Sequence, residues 1–248
     1  MNQADFVSFV AAASRRAVGH AVGRLLLTQS ATNGEPMLRE PEMRHALAQE
    51  AEARPEPLHY GIEVPTREVY RFTLEPGDAQ TSARHDFAVL AAARSDAARL
   101  NLVELKREQP EMKPGADGAD CPKIRKDLEK LLLESAVDGK CMLHLFHAAH
   151  RDTIPSVLDK YNAAMRQAIR RARDAIARAR EATTRDPLPD LAADASWFSL
   201  LVLVVRRREG NRPALYHHGA ASFGAWLTRF EAGEVSFGED SLVQVPLA

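Results

Sequence analysis

Hydrophobic positions along the chain fall into two rhythms. Helical spacings of three and four run through residues 4 to 27 on Phe6, Phe9, Val10, Ala13, Ala17 and Ala21. A second helix opens at Pro41, carries Met43, Ala46, Leu47 and Ala51 on one face, and is stopped by Pro55. The same spacing returns from Pro122 to about Ser135 on Ile124, Leu128, Leu131 and Leu132, and from Ile154 to about Thr183 on Met165, Ile169, Ala172, Ile176 and Ala179. Between these stretches the pattern is that of strands. Leu58 to Leu74, interrupted by Pro65, reads as one or two strands with Tyr70 and Phe72 on one face; His85 to Leu90, Asn101 to Lys106, Cys141 to Phe146 and the long apolar run Ser196 to Arg206 follow. A short helix around Ala225 to Phe230 and further strand close the chain. Asn33-Gly34, Pro76-Gly77-Asp78 and Asp138-Gly139 mark turns, and Glu108 to Asp120, rich in Pro, Gly and charge, reads as an exposed loop. Helices alternating with strands make an α/β chain, divided into an N-terminal helical extension, residues 1–34, and one α/β domain, residues 35–248.

Ionisable groups interrupt this pattern at one place. In strands the side chains alternate faces, so Asp86 shares a face with Ala88 and Leu90, and Glu104 with Leu102 and Lys106. An antiparallel hairpin symmetric about Ser95 pairs Leu90 with Leu100, Ala88 with Leu102 and Phe87 with Val103, and sets Asp86 opposite Glu104. Two carboxylates across a ladder, ~5 Å apart at Cβ, repel each other. A divalent cation between them removes the objection. A slip of one residue would send every side chain to the other face, so the apolar pairing is what supports this register.

Composition narrows the chemistry. With 33 basic and 34 acidic residues and a net charge of −1, the chain has no global attraction for polyanions, and any such binding must come from local patches. Lys123, Lys126 and Lys130 on the Pro122 helix supply one patch, and Arg166, Arg170, Arg173 and Arg180 on the long helix supply another, diluted by Asp174 and Glu181. Cys121 and Cys141 form no Cys-x-x-Cys pair, which fits a reducing compartment and sets aside a structural zinc site. The apolar runs are too short for a membrane span, and Phe6 to Ala13 is followed by Arg15 and Arg16, the wrong order for a secretory signal, so a cytoplasmic location is expected.

The order of helix, strands, a strand beginning at Asp86, a strand carrying Glu104-Leu105-Lys106, an amphipathic helix and another strand resembles the PD-(D/E)XK nuclease superfamily. The resemblance covers roughly residues 40 to 150. It implies a restriction-endonuclease-like fold, a mixed central sheet flanked by helices, and Mg²⁺-dependent hydrolysis of phosphodiester bonds in DNA, with Mn²⁺ as a substitute cation. Asp86 and Glu104 would hold the metal, and Lys106 would orient the attacking water or stabilise developing charge. Many members add a glutamate from the preceding helix, for which Glu42 fits best and Glu50 is the rival. Lys123, Lys126, Arg166, Arg170 and Arg173 are the candidates for phosphate contacts. Cleavage of both strands of a duplex would favour a homodimer or a larger assembly. The residue before Asp86 is His85, where the family name has Pro.

A protein of a different class also fits the pattern, one that keeps the fold without catalysis and acts as an interaction or nucleic-acid-binding module. Other motifs carry less. His144, His147 and His150 recur every third residue, a spacing that alternates faces on a strand, so a strand-end histidine with a backbone partner is expected. His217-His218 beside Gly219 reads as a turn. No phosphate-binding Gly-x-x-x-x-Gly-Lys loop, Gly-x-Ser-x-Gly elbow or Gly-x-Gly-x-x-Gly is present, which leaves P-loop hydrolysis, α/β-hydrolase chemistry and dinucleotide binding without local support.

Overall fold

The apolar positions of the chain, when folded, put every strand among the described residues into one sheet. The computed structural model describes residues 1–25, 38–66, 83–92, 98–107, 122–146, 154–181, 189–205 and 213–247. Its helices are α1 (Gln3–Leu25), α2 (Glu40–Ala53), α3 (Pro122–Leu133), α4 (Ile154–Glu181) and α5 (Phe223–Glu231), and its strands are β1 (His59–Pro65), β2 (Arg84–Leu90), β3 (Arg99–Arg107), β4 (Gly139–Phe146), β5 (Trp197–Val204), β6 (Ala214–Ala220) and β7 (Val243–Val245). The seven strands lie side by side in chain order. β1, β2 and β3 pair antiparallel, β3–β4 and β4–β5 parallel, and β5–β6 and β6–β7 antiparallel. The two parallel steps are the two that need a crossover, and α3 and α4 provide them. The chain is therefore α/β with a mixed sheet flanked by helices.

Each face of the sheet has its own core. Ala88, Leu102, Met142, Phe198, Leu200 and Val202 pack under α3, α4 and α5, whereas Phe87, Val103, Leu105, Leu143, Leu201 and Leu203 pack under α1 and α2. β4 and β5 are buried along their whole length, as expected of central strands covered on both sides. Met43, Ala46, Leu47 and Ala51 of α2 all point inward as their spacing predicts. The helix set apart in the sequence as an N-terminal extension packs into this layer: Phe6 lies 5.0 Å from Trp197, Phe9 lies 6.2 Å from Phe87, and the Gln3 amide donates to the Phe198 carbonyl at 2.8 Å.

The β2–β3 register matches the apolar pairing, Phe87 with Val103, Ala88 with Leu102 and Val89 with Asn101. A shift at the end of β2 then sets Leu90 against Arg99 instead of Leu100. Ser95, Asn33-Gly34, Tyr70, Phe72, Pro76-Gly77-Asp78, the 108–120 loop, Cys121, His147 and His150 lie outside the described residues. Cys141 is buried in β4, where burial pushes its thiol up, so it serves as a core residue.

Two histidine expectations change. His217 and His218 belong to β6, opposite Leu201 and Leu200. Gly219 sits in that strand because a Cβ there would come within 2.8 Å of the Gln3 and His217 side chains, a close approach and not a turn. His144 is buried on the central strand β4, with its Nδ1 3.1 Å from the Tyr161 hydroxyl of α4, so a side chain is one of its partners. His218 meets the edges of Trp226 and Phe237. Burial first, and then the neighbouring His217, push its imidazole down to about 4. A depressed folded-state value means that the stabilisation is complete above the unfolded value of about 6.5 and is lost as pH falls towards 4. Stability should therefore drop by about 3 kcal/mol over that window on account of this residue. Denaturant unfolding of wild type and His218→Gln at several pH values checks this, and equal slopes between pH 6.5 and 4 would refute it.

Candidate functional site

The alternation of β2 breaks at the residue expected to matter most. β1 pairs Ile62 with Phe87 and Val64 with His85, and the residue between them, Glu63, takes a left-handed backbone with φ of 52°. A glutamate in that region costs on the order of 1 kcal/mol and persists only where the surroundings impose it. On the other side, the N–H of Leu105 in β3 is taken by the Asp86 carboxylate at 2.8 Å. Both irregularities flank Asp86. The consequence is that His85, which strict alternation would place away from Glu104, has its Nδ1 2.6 Å from Glu104 Oε1.

Asp86 sits beside α2, with Oδ1 3.8 Å from the Arg44 guanidinium, which also pairs with Glu63. The α2 carboxylate brought to this place is Glu40, whose Oε1 accepts the Arg107 N–H at 3.0 Å. Glu42 turns back instead to accept the N–H of Arg39 at 2.9 Å, closing the start of the helix, and Glu50 pairs with Arg16 at 3.1 Å. The helix carboxylate nearest the end of β3 is thus neither of the two expected. Burial raises the proton affinity of both Glu40 and Asp86; the charge of Asp86 raises that of Glu40 further, and the charge of Asp127 raises that of Asp86. Lys106 lowers that of Glu40, and Lys130 and Arg44 lower that of Asp86.

Glu104 is entirely buried and has a different environment. Its Oε2 is paired with the Lys130 ammonium of α3, and its Oε1 with His85. The other ring nitrogen of His85 lies 3.3 Å from Glu134, which Arg99 holds at 3.0 Å. Burial works against the imidazolium, but the hydrogen bonds and charges of the two carboxylates outweigh it and raise the His85 value. Burial likewise raises Glu104, against the pull of Lys130 and His85. Asp127 joins the two lysines, pairing with Lys106 and lying 3.1 Å from Lys130. Burial opposes the charge on each lysine, but the carboxylates prevail, and both are held above the ordinary lysine value as ammonium ions.

Beside this chain of charges opens a cavity of about 230 Å³, lined by Arg84, Lys106, Lys123, Lys126 and Lys130, with Asp127 the acidic residue among its lining. A concave surface with five cations is suited to phosphate or another polyanion. Lys123 and Lys126, the sequence's candidates for phosphate contacts, are among its lining. Arg166, Arg170 and Arg173 of α4 are not among that lining. Arg166 lies over the Phe230 ring at 5.6 Å, Arg173 pairs with Glu231 of α5 at 2.6 Å, and Arg170 is exposed on the same helix.

Hard oxygen donors suited to Mg²⁺ are present in Asp86 and Glu40, each with one oxygen anchored on a backbone N–H. Both oxygens of Glu104 are already engaged, one by His85 and the other by Lys130. Among the described residues no three His, Cys, Asp or Glu side chains are already gathered as a metal site, and no helix is long and apolar enough to cross a membrane. His85, Glu40 and Asp127 were not singled out by sequence reasoning as site residues, and Lys130 was noted only within the basic patch of the Pro122 helix. One signal existed: Asp127 and Lys130 of α3 and Glu134, the residue after its end, recur at three and four, on the side that also carries Leu131.

No family model matches this chain, and neither a curated protein nor a solved structure matches it.

Proposed function

We propose that this protein is a metal-dependent nuclease of the restriction-endonuclease-like fold that hydrolyses phosphodiester bonds in DNA. The observation that carries the reading is the five-cation cavity at the end of β3, with Lys106 in its wall and the carboxylates of Asp86, Glu40 and Glu104 behind it. Asp86 and Glu40 would hold Mg²⁺ or Mn²⁺, with Glu104 added. The cation supplies a Lewis acid and an acidified water. Arg84, Lys123 and Lys126 bind the phosphate backbone and fix the scissile group against Lys106. Because Lys106 stays charged, it does not accept a proton from water; it donates hydrogen bonds to a phosphate oxygen and stabilises the charge that develops there. Incubation of the purified chain with duplex DNA, single-stranded DNA and RNA in Mg²⁺ or Mn²⁺ tests the proposal. DNA cleavage, reduced about 10²-fold or more in Asp86→Asn, is the expected result.

One observation favours a second reading. Glu104 has both oxygens engaged and no exposure, as in a structural ion-pair chain. A non-catalytic module of the same fold would bind nucleic acid through the cavity with strong salt dependence, would cleave none of the substrates, and would be indifferent to Asp86→Asn.

A further inference from the structure

The cavity wall carries more positive charge than its own side chains balance. Lys106 is paired with Asp127, and Lys130 with Glu104 and Asp127, so these two ammonium ions are compensated where they stand. Lys130 also donates to the Arg84 carbonyl at 2.9 Å, which ties the start of β2 to α3 and fixes that side of the wall. Arg84 and Lys123 differ. The Arg84 guanidinium donates to the Glu63 carbonyl at 3.3 Å, an uncharged acceptor, and both residues are exposed at the cavity. Among the described residues neither pairs with a carboxylate.

The helix that carries this wall is charged against its own dipole. α3 opens Pro122-Lys123-Ile124-Arg125-Lys126, with no acidic residue in its first turn. The first N–H groups of a helix lack intrahelical partners and give that end a positive partial charge. Cations there weaken the helix unless an anion lies over them. Size and valence narrow the anion. A cavity of about 230 Å³ is smaller than the pockets that hold drug-sized ligands, so one phosphate with part of its sugar fills it and a run of backbone does not. Within a strand each phosphate brings one negative charge, whereas a terminal phosphomonoester brings nearly two at neutral pH and three acceptor oxygens. Two uncompensated cations match the terminal group.

We propose that the cavity receives the terminal phosphate of a DNA strand, with Arg84 and Lys123 meeting its two charges and Lys126 adding a third cation. The protein then works from strand ends. With the terminal phosphate seated, the next internucleotide bond is delivered to the Lys106 wall. Recognition of the end requires the cavity alone, and cleavage of the bond beside it rests on the nuclease reading.

Fluorescence anisotropy of the full chain in EDTA, near neutral pH, tests end recognition without turnover. The probe is one internally labelled single-stranded oligonucleotide in three forms: 5′-phosphate, 3′-phosphate, and hydroxyl at both ends. One phosphorylated form should bind about tenfold more tightly than the hydroxyl form, and which one it is names the end that is read. An equal gain of less than about twofold from both phosphates is the effect of added charge alone and overturns the proposal. The preference should fall close to one in Arg84→Met and in Lys123→Met, both at exposed positions and checked by melting curves. A tenfold preference that survives in both variants removes the end from this cavity. Should a variant fail to fold, the other variant and the wild-type series decide. A preference in EDTA without cleavage in Mg²⁺ or Mn²⁺ supports end recognition and overturns the nuclease reading. Cleavage of a DNA circle as fast as of the linear strand, with no preference among the three forms, overturns end recognition and leaves the nuclease reading standing.

Discussion

Replacing Lys106 by methionine is expected to lower DNA cleavage by about 10²- to 10³-fold while leaving the fold intact. Methionine keeps an unbranched stem of similar length in the β3 position and removes only the charge. Asp127, which pairs with Lys106, retains Lys130, so no carboxylate is stranded. The ammonium is held above its ordinary value by Asp127, Glu40 and Glu104, and it is therefore charged throughout the range in which the enzyme would work. Its loss removes an interaction that strengthens as negative charge builds on the phosphate. The defect should accordingly fall on kcat more than on KM, and Lys106→Arg should recover part of it. The contrasting variant is Lys123→Met, at the rim of the same cavity, whose effect should fall on KM and increase with salt concentration. Single-turnover cleavage assays beside melting curves distinguish the cases. Full activity in a folded Lys106→Met protein would remove Lys106 from the mechanism.

The hairpin at the centre of this site was partly legible in the sequence, and the limit has a physical cause. Apolar pairing of Phe87 with Val103 and Ala88 with Leu102 is dictated by two separate cores, and a slip would expose both, so the register follows from hydrophobicity alone. Extending the same alternation to Asp86 assumes a regular strand. The left-handed Glu63 opposite it and the carboxylate that takes the Leu105 N–H are backbone irregularities that no side-chain pattern announces. They exchange the roles of His85 and Asp86, giving Glu104 an imidazole neighbour in place of a second carboxylate. The α2 carboxylate that meets the end of β3 is Glu40 and not the expected Glu42, for a related reason. Glu42 is the third residue of α2, where a glutamate reaches back to the start of its own helix, but the usual Ser or Thr that announces this arrangement is replaced by Arg39. That Lys123 and Lys126 share one surface was legible because their charges stand one turn apart at the start of an amphipathic helix. Lys130 was not, because it lies a turn further on with its ammonium buried against a carboxylate from another element.

Phe6→Ala is expected to destabilise the protein by about 3–5 kcal/mol and to lower the melting temperature by roughly 10 °C. In the sequence the first helix reads as an extension packed on the body of the protein or on a partner, and an appended helix would tolerate this change with little loss. In the fold, Phe6 has no exposure and packs between Phe9, 5.8 Å away, and Trp197, 5.0 Å away, over the first residues of β5. β5 lies between β4, to which it is parallel, and β6, to which it is antiparallel, and its other face supports α4 and α5. Truncation therefore opens a cavity above Trp197 and Leu201 that neighbouring side chains, themselves fixed by β4 and β5, cannot fill. The size of the effect decides what the helix is. A loss below about 0.5 kcal/mol would mean that α1 is not part of the folding unit, since that is the usual range for surface substitutions. A loss of several kcal/mol in a single cooperative transition would mean that the layer of α1 and α2 and the sheet fold as one unit. Because β3 is the next strand but one to β5 in that sheet, the same cooperativity holds the Glu104 and Lys106 end of the site in place.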